Sequence, residues 1–132
     1  MKIYFFKPLL LIELILLGFV LLAFSLAPTD KCGIEVVKSY NQELMGKNVG
    51  FFVVFKNNSA KNMDAIDYKV TFLNGFDEVK GTQNFKWQAG NFFGPKLPGE
   101  SLKDGSTTWV SEANKVKVSI IRVHFTDGTT CK

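Results

Sequence analysis

The sequence is poor in residues that do chemistry. Its 132 residues hold one histidine, two cysteines and four prolines. A single histidine, His124, leaves no histidine-built metal motif, since such centres use three or four ligands at defined spacing. Neither a nucleophile turn of the G-x-S-x-G kind nor a glycine-rich phosphate loop is present. Asp64 and Asp67 fall three apart in a strand-like stretch, which places them on opposite faces and suits paired-carboxylate catalysis poorly. Asp77-Glu78 reads as a solvated acidic turn. No basic cluster exists either. Lys38, Lys47, Lys56, Lys61, Lys69 and Lys80 are spread along the chain, whereas nucleic-acid binding usually concentrates its charge. The composition therefore points away from catalysis, metals, cofactors and nucleic acid.

What the sequence does have is a break near Ala27. From Leu9 to Leu26 the chain is apolar except for Glu13, with Lys2 and Lys7 ahead of it. At 1.5 Å per residue this run gives a helix of about 27 Å, close to the ~30 Å of a hydrocarbon core. Ile3 to Phe6 extend it, with Lys7 snorkelling to the interface. Two processing fates compete. A cleavable signal finds small residues at Ala23 and Ser25, or at Ser25 and Ala27, but Pro28 disfavours the second cut. A retained helix is the reading adopted here, with Lys2 and Lys7 holding the N-terminus in the cytoplasm. Cys32 lacks the small-residue triplet of a lipid-attachment site; Thr29-Asp30-Lys31 precedes it. Glu13 either reaches water from within a turn of the cytoplasmic edge or pairs with a polar group of another membrane subunit. Residues 1–27 are thus a signal-anchor or transmembrane helix.

Residues 28–132 form a second unit of 105 residues, enough for one domain. The leader holds Lys2, Lys7 and Glu13, so the chain's net +4 leaves +3 here, a mild excess. Cysteines stand at its two ends, Cys32 and Cys131. In an exported domain they read as a disulfide clasp; two free thiols are the alternative. Between them lie β-like patterns. Residues 34–40 make a short strand, and 49–57, apolar on both faces, a central one. Ile66, Tyr68, Val70 and Phe72 alternate with Asp67, Lys69 and Thr71, the mark of a half-buried antiparallel strand. Asn74-Gly75 signals a turn, and a weaker strand covers 78–87. Residues 88–105 carry Gly90, Gly94, Pro95, Pro98, Gly99 and Gly105 and read as loop, with a strand at 107–110. Val116, Val118 and Ile120 alternate, then the phase slips to Ile121, Val123 and Phe125, as a β-bulge would make it. Thr129–Cys131 closes the domain. About seven short strands and no helix predict an all-β, immunoglobulin-like antiparallel β-sandwich behind one N-terminal helix.

Two resemblances add to this. The Asn57-Asn58-Ser59 turn, Ile66, the stretch Tyr68 to Asp77, Pro98-Gly99 ahead of Trp109, and the closing Val123-His124-Phe125-Thr126-Asp127-Gly128-Thr129 together resemble the bacterial extracytoplasmic FxLYD-like domains over about residues 49–130. That resemblance implies a small non-catalytic module outside the cytoplasm. More locally, Leu11-Ile12-Glu13-Leu14 is similar to the start of type IV pilins, although Pro8 stands where their processing site has glycine.

Aromatics supply the one candidate contact surface. Phe85, Trp87, Phe92 and Phe93 cluster in and beside a glycine-rich loop, and exposed loop aromatics mark binding spots. Alternatively Phe92 and Phe93 fold back to plug one end of the sandwich. His124, between Val123 and Phe125, points opposite to both. Asn57-Asn58-Ser59 is a formal glycosylation sequon. The expected function is a membrane-anchored extracytoplasmic interaction module, an accessory subunit with protein partners in or at the cytoplasmic membrane. A module released by signal peptidase or a pilin-like filament subunit are the alternatives.

Overall fold

The computed structural model describes residues 32–43, 49–108, 110 and 112–132. The expected N-terminal helix, the boundary at residue 28, and Glu13 lie outside these residues. Seven strands follow in order: β1 (Ile34–Glu43), β2 (Val49–Asn57), β3 (Met63–Leu73), β4 (Val79–Gln88), β5 (Ser101–Thr108), β6 (Lys115–Phe125) and β7 (Thr130–Cys131). Among the described residues there is no helix, hence none long and apolar enough to cross a membrane. The strands form two antiparallel sheets, one of three strands in the order β1-β2-β5 and one of four in the order β4-β3-β6-β7.

The interior is made by alternation. In β3, Ile66, Tyr68, Val70 and Phe72 are buried, while Asp67, Lys69 and Thr71 face outward. β2 presents Phe51, Val53 and Phe55 to them from the opposite sheet. The Phe51 ring lies 5.9 Å from Phe72 and 4.6 Å from Phe85, and Phe55 lies 5.0 Å from Tyr68. Such tilted and edge-on pairs add to the burial of large rings, so this cluster joins the two sheets. β2, the middle strand of its sheet, is apolar on both faces. On its outer side Phe52 packs 5.4 Å from Tyr40, with the Lys103 ammonium 4.6 Å from Phe52 and that of Lys38 5.0 Å from Tyr40. Lysine stems cover this apolar outer patch in place of a second layer.

Each edge of the sandwich is tied differently. Cys32, just before β1, is bonded to Cys131 in β7, with Cα atoms 5.6 Å apart, so a covalent bond joins the sheets on the β1/β7 side. On the other side the links are polar. The Tyr68 hydroxyl donates to Asp104 Oδ2 at 2.7 Å, and Thr108 Oγ1 donates to Gln83 Oε1 at 2.9 Å. Burial first, and the Asp104 carboxylate second, push the Tyr68 phenol far above its ordinary value.

The phase slip read at Ile120–Ile121 is a bulge. Ile120 pairs with Tyr68 and Arg122 with Asp67, leaving Ile121 without a partner. One segment needs correction. Residues 88–105 were expected as loop and 107–110 as strand, but β5 runs from Ser101 to Thr108. An edge strand needs few apolar residues, and here only Leu102 and Thr108 are buried. Gly105, which reads as a breaker, is required, because a Cβ there would stand 2.4 Å from the Phe51 carbonyl oxygen.

Two outcomes are expected. Cys32→Ser lengthens no native contact but frees a 99-residue separation in the unfolded chain, which the chain-entropy model values at up to roughly 4–5 kcal/mol. The melting temperature of the oxidised protein should fall by about 10 °C or more; equal melting of variant and parent counts against the clasp. The second is alkaline. With the folded-state Tyr68 pKa raised, stability is complete below pH 10.0, the ordinary tyrosine value, and declines above it as the unfolded phenol ionises. The slope from this residue is at most about 1.4 kcal/mol per pH unit. Tyr68→Phe should flatten the decline in denaturant melts taken above that pH.

Candidate functional site

At the disulfide end of the body, one buried amide organises the loops. Asn57, the last residue of β2, is fully buried. Its Nδ2 donates to the carbonyls of Lys61 and Lys96, both at 2.8 Å. Its Oδ1 accepts from the Ser59 backbone at 3.0 Å and the Ser59 hydroxyl at 2.6 Å. Its own backbone N–H donates to Glu100, and its carbonyl accepts from Gly99. Every polar atom of the residue is thereby paired inside a dry site, as burial of an amide requires. This corrects the glycosylation reading: the acceptor nitrogen of the sequon is buried and already committed to two carbonyls.

The same network holds the loop between β4 and β5. Ala89 donates to the Asp64 carbonyl, and Met63 and Lys96 exchange two backbone bonds at 2.9 and 2.7 Å. Between these anchored ends, Gly90 donates to Phe93 and closes a turn. Phe92 at its tip is 95% exposed and Phe93 67% exposed. The four aromatics singled out in the sequence are therefore divided. Phe85 is half-buried, packing against Phe51 and stacking 5.8 Å from Tyr68 on the core side of β4. Trp87 is half-buried against the core, and with Phe93, Leu102 and Asp104 it lines a hollow of about 400 Å³ between the β4 and β5 edges. Phe92 and Phe93 do not plug the sandwich.

A polar depression of about 310 Å³ lies on the outer face of the four-stranded sheet, floored by Ala65 and lined by Asp64, Asp67, Lys86, Gln88, Arg122, His124 and Thr130. Asp64 and Asp67 share it, contrary to the opposite-face expectation. The reason is a second bulge: Met63 pairs with Phe125 and Ala65 with His124, so Asp64 is an extra residue and turns outward beside Ala65. Asp67 pairs with Arg122, and Asp64 Oδ1 accepts from His124 Nδ1 at 2.6 Å. Among the described residues no hydroxyl is hydrogen-bonded to that ring, and no group of three or more His, Cys, Asp or Glu is arranged to hold a metal ion. The Asp67–Arg122 ion pair lies on the outer sheet surface, where such pairs are individually weak.

The sequence reading missed the far end. Asn74 is buried like Asn57; its Oδ1 accepts from the N–H groups of Phe76 and Glu78, and its Nδ2 donates to Glu78 Oε2 at 2.7 Å. This amide, then Lys80, holds the Glu78 carboxyl below its ordinary value. The turn lifts Phe76 into solvent, 88% exposed. A phenylalanine inside an Asn-Gly-x-Asp turn was the available signal. At the disulfide end, Lys61 pairs with Asp127 at 2.8 Å, and with Thr129 it holds the Asp127 carboxyl far below its ordinary value.

No protein-family model and no curated protein matches the chain. Among solved structures it is similar to a hypothetical protein from Peptoclostridium difficile 630, with 10% sequence identity and a TM-score of 0.58, over 78% of this chain and 87% of that one. At that identity the likeness concerns the fold alone.

Asn57→Ala should be the most damaging polar substitution. It strands the Lys61 and Lys96 carbonyls and costs about 3 kcal/mol, lowering the melting temperature by roughly 10–20 °C. Asn58→Ala removes only a surface bond to Glu35 and should change stability by less than about 0.5 kcal/mol. Equal effects of the two would remove Asn57 from the centre of this end.

Proposed function

We propose that this protein is a non-catalytic interaction module, tethered to the outer side of the cytoplasmic membrane by its N-terminal apolar run, and an accessory subunit of a membrane protein assembly. The observation that carries this reading is the Phe92–Phe93 tip. Two large apolar side chains stand in solvent on a loop whose base is hydrogen-bonded to β3, while the core is complete without them. Exposed aromatics held on a rigid scaffold are the usual anchors of an interface. The disulfide supports an oxidising compartment. The tether itself rests on the sequence of residues 3–26, and Glu13 within it is the proposed contact to a partner helix.

We also read the body as immunoglobulin-like and FxLYD-like. The order β1-β2-β5 against β4-β3-β6-β7, with the chain passing between sheets after β2, β4 and β5, supports that reading.

The test compares the parent chain with the double variant Phe92→Ser, Phe93→Ser, cross-linked in intact membranes and then run on native gels. The parent should migrate in an assembly larger than itself. The variant should migrate alone with an unchanged melting temperature. Assembly that survives the double substitution, or a body that melts early because of it, refutes the role given to the tip.

A further inference from the structure

The tip and the tether leave the body at the same end. The chain enters the described structure at Cys32, which is bonded to Cys131, and Gly33 O accepts from the Asn58 N–H at 2.8 Å. Gly33 sits in the left-handed region at φ +70°, with Ser59 so close that a Cβ would stand 3.0 Å from it, which fixes the direction of the chain there. One residue back from Asn58, the Asn57 amide holds the Lys96 carbonyl. Two hydrogen-bonded steps thus connect the point where the leader joins to the base of the aromatic loop.

The length of chain before the body is also fixed by the sequence. The apolar run ends at Leu26, and residues 27–31 separate it from Cys32. Fully extended they reach at most about 18 Å. If the run spans a bilayer, the disulfide end stays within about that distance of the bilayer's surface. Phe76, at the other end of β3, is an 11-residue strand away, roughly 35 Å.

The chemistry of the tip fits that surface. Residues 87–95 carry no charge, and Lys86 and Lys96 flank them. Phe92, Phe93 and the half-exposed Leu97 form the apolar part. An uncharged aromatic tip with a lysine, Lys96, at its base is the pattern of segments that settle at the headgroup boundary, with rings in the acyl region and an ammonium group among phosphates. The tether makes the contact intramolecular, so a small apolar area suffices to keep it engaged.

We infer that the Phe92–Phe93 tip seats in the lipid interface of the same bilayer that holds the N-terminal run, as a second point of attachment that fixes the height and tilt of the body. This rests on the tethered reading above and names what the tip meets within the assembly. The partner then meets the body elsewhere, and the serine double variant loses assembly because the body is no longer held at the height and tilt that the contact needs.

The experiment uses the full chain in liposomes of phosphatidylethanolamine and phosphatidylglycerol, with and without dibrominated acyl chains. Phe92→Trp and Phe76→Trp each add one tryptophan, read as the difference from the parent. The emission added at position 92 should shift to the blue and lose most of its intensity in brominated liposomes; that added at position 76 should do neither. Alkaline carbonate extraction of the same samples separates the two claims. A chain that resists extraction while the added emission at 92 matches that at 76 overturns the lipid seat and keeps the tether. A chain stripped by carbonate whose emission at 92 is still quenched overturns the tether and keeps the lipid contact. Emission at 92 that is unquenched in liposomes, together with assembly lost in the serine double variant, makes the tip a protein contact and overturns the inference.

Discussion

The disulfide end of this molecule depends on the buried side-chain amide of Asn57. β2 must stop, the chain must cross to the other sheet, and the lead-in to β5 must be brought alongside. Each step leaves backbone carbonyls or amides that β pairing does not use. Asn57 pairs with groups from Ser59, Lys61, Lys96, Gly99 and Glu100 at once. A planar group with two donors and one acceptor in fixed directions does this where a hydroxyl or a methyl cannot. In a site closed to water the alternative is unpaired carbonyls, so the loop geometry has little freedom. Asn74 repeats the device at the far end, where it shapes the turn between β3 and β4.

Between these two ends the sheets are held by ring packing, and the edges prevent them from sliding. A three-stranded sheet over a four-stranded one leaves unequal edges. On the β1/β7 side β7 is only two residues long, too short to cover β1 by packing, and the Cys32–Cys131 bond supplies the link. On the β4/β5 side the strands are long but mostly polar. There Tyr68 and Thr108 reach across to Asp104 and Gln83. The Tyr68 phenol serves both purposes, since its ring belongs to the aromatic cluster and its hydroxyl to the edge.

Much of the fold was legible in the sequence because alternation reports burial directly. The Ile66–Phe72 pattern gave a half-buried strand, the double-faced run at 49–57 gave a central one, and the slip at Ile120–Ile121 located a bulge. Three features were not legible, for one common reason: each depends on a neighbour distant in sequence. β5 looks like loop because its glycine is demanded by the carbonyl of Phe51 and its few apolar residues suffice for an edge. Asp64 looks inward by parity, and only the mispairing of Met63 and Ala65 across to β6 turns it out to join Asp67. Phe85 looks like part of a loop surface, yet its position opposite Tyr68 on β4 turns it inward. Of the candidate contact, the aromatic composition was readable and the division between interior and tip was not.

The placement of exposed apolar groups carries more functional information than the polar depression. Asp64–His124 and Asp67–Arg122 look like chemistry, but both pairs lie on the outer face of the four-stranded sheet, where side chains of neighbouring strands pair routinely. Solvent-exposed phenylalanines have no such routine explanation when the core is already complete. Here they occupy turns at opposite ends of the body. The Asn74 amide holds the turn that carries Phe76, and the Asn57 amide holds the Lys96 end of the loop that carries Phe92 and Phe93. Cys32 and the loop that carries Phe92 and Phe93 lie at one end of the body, and Phe76 lies at the other end of β3. This asymmetry follows from the strand order itself, because β3 carries the chain from one end of the body to the other.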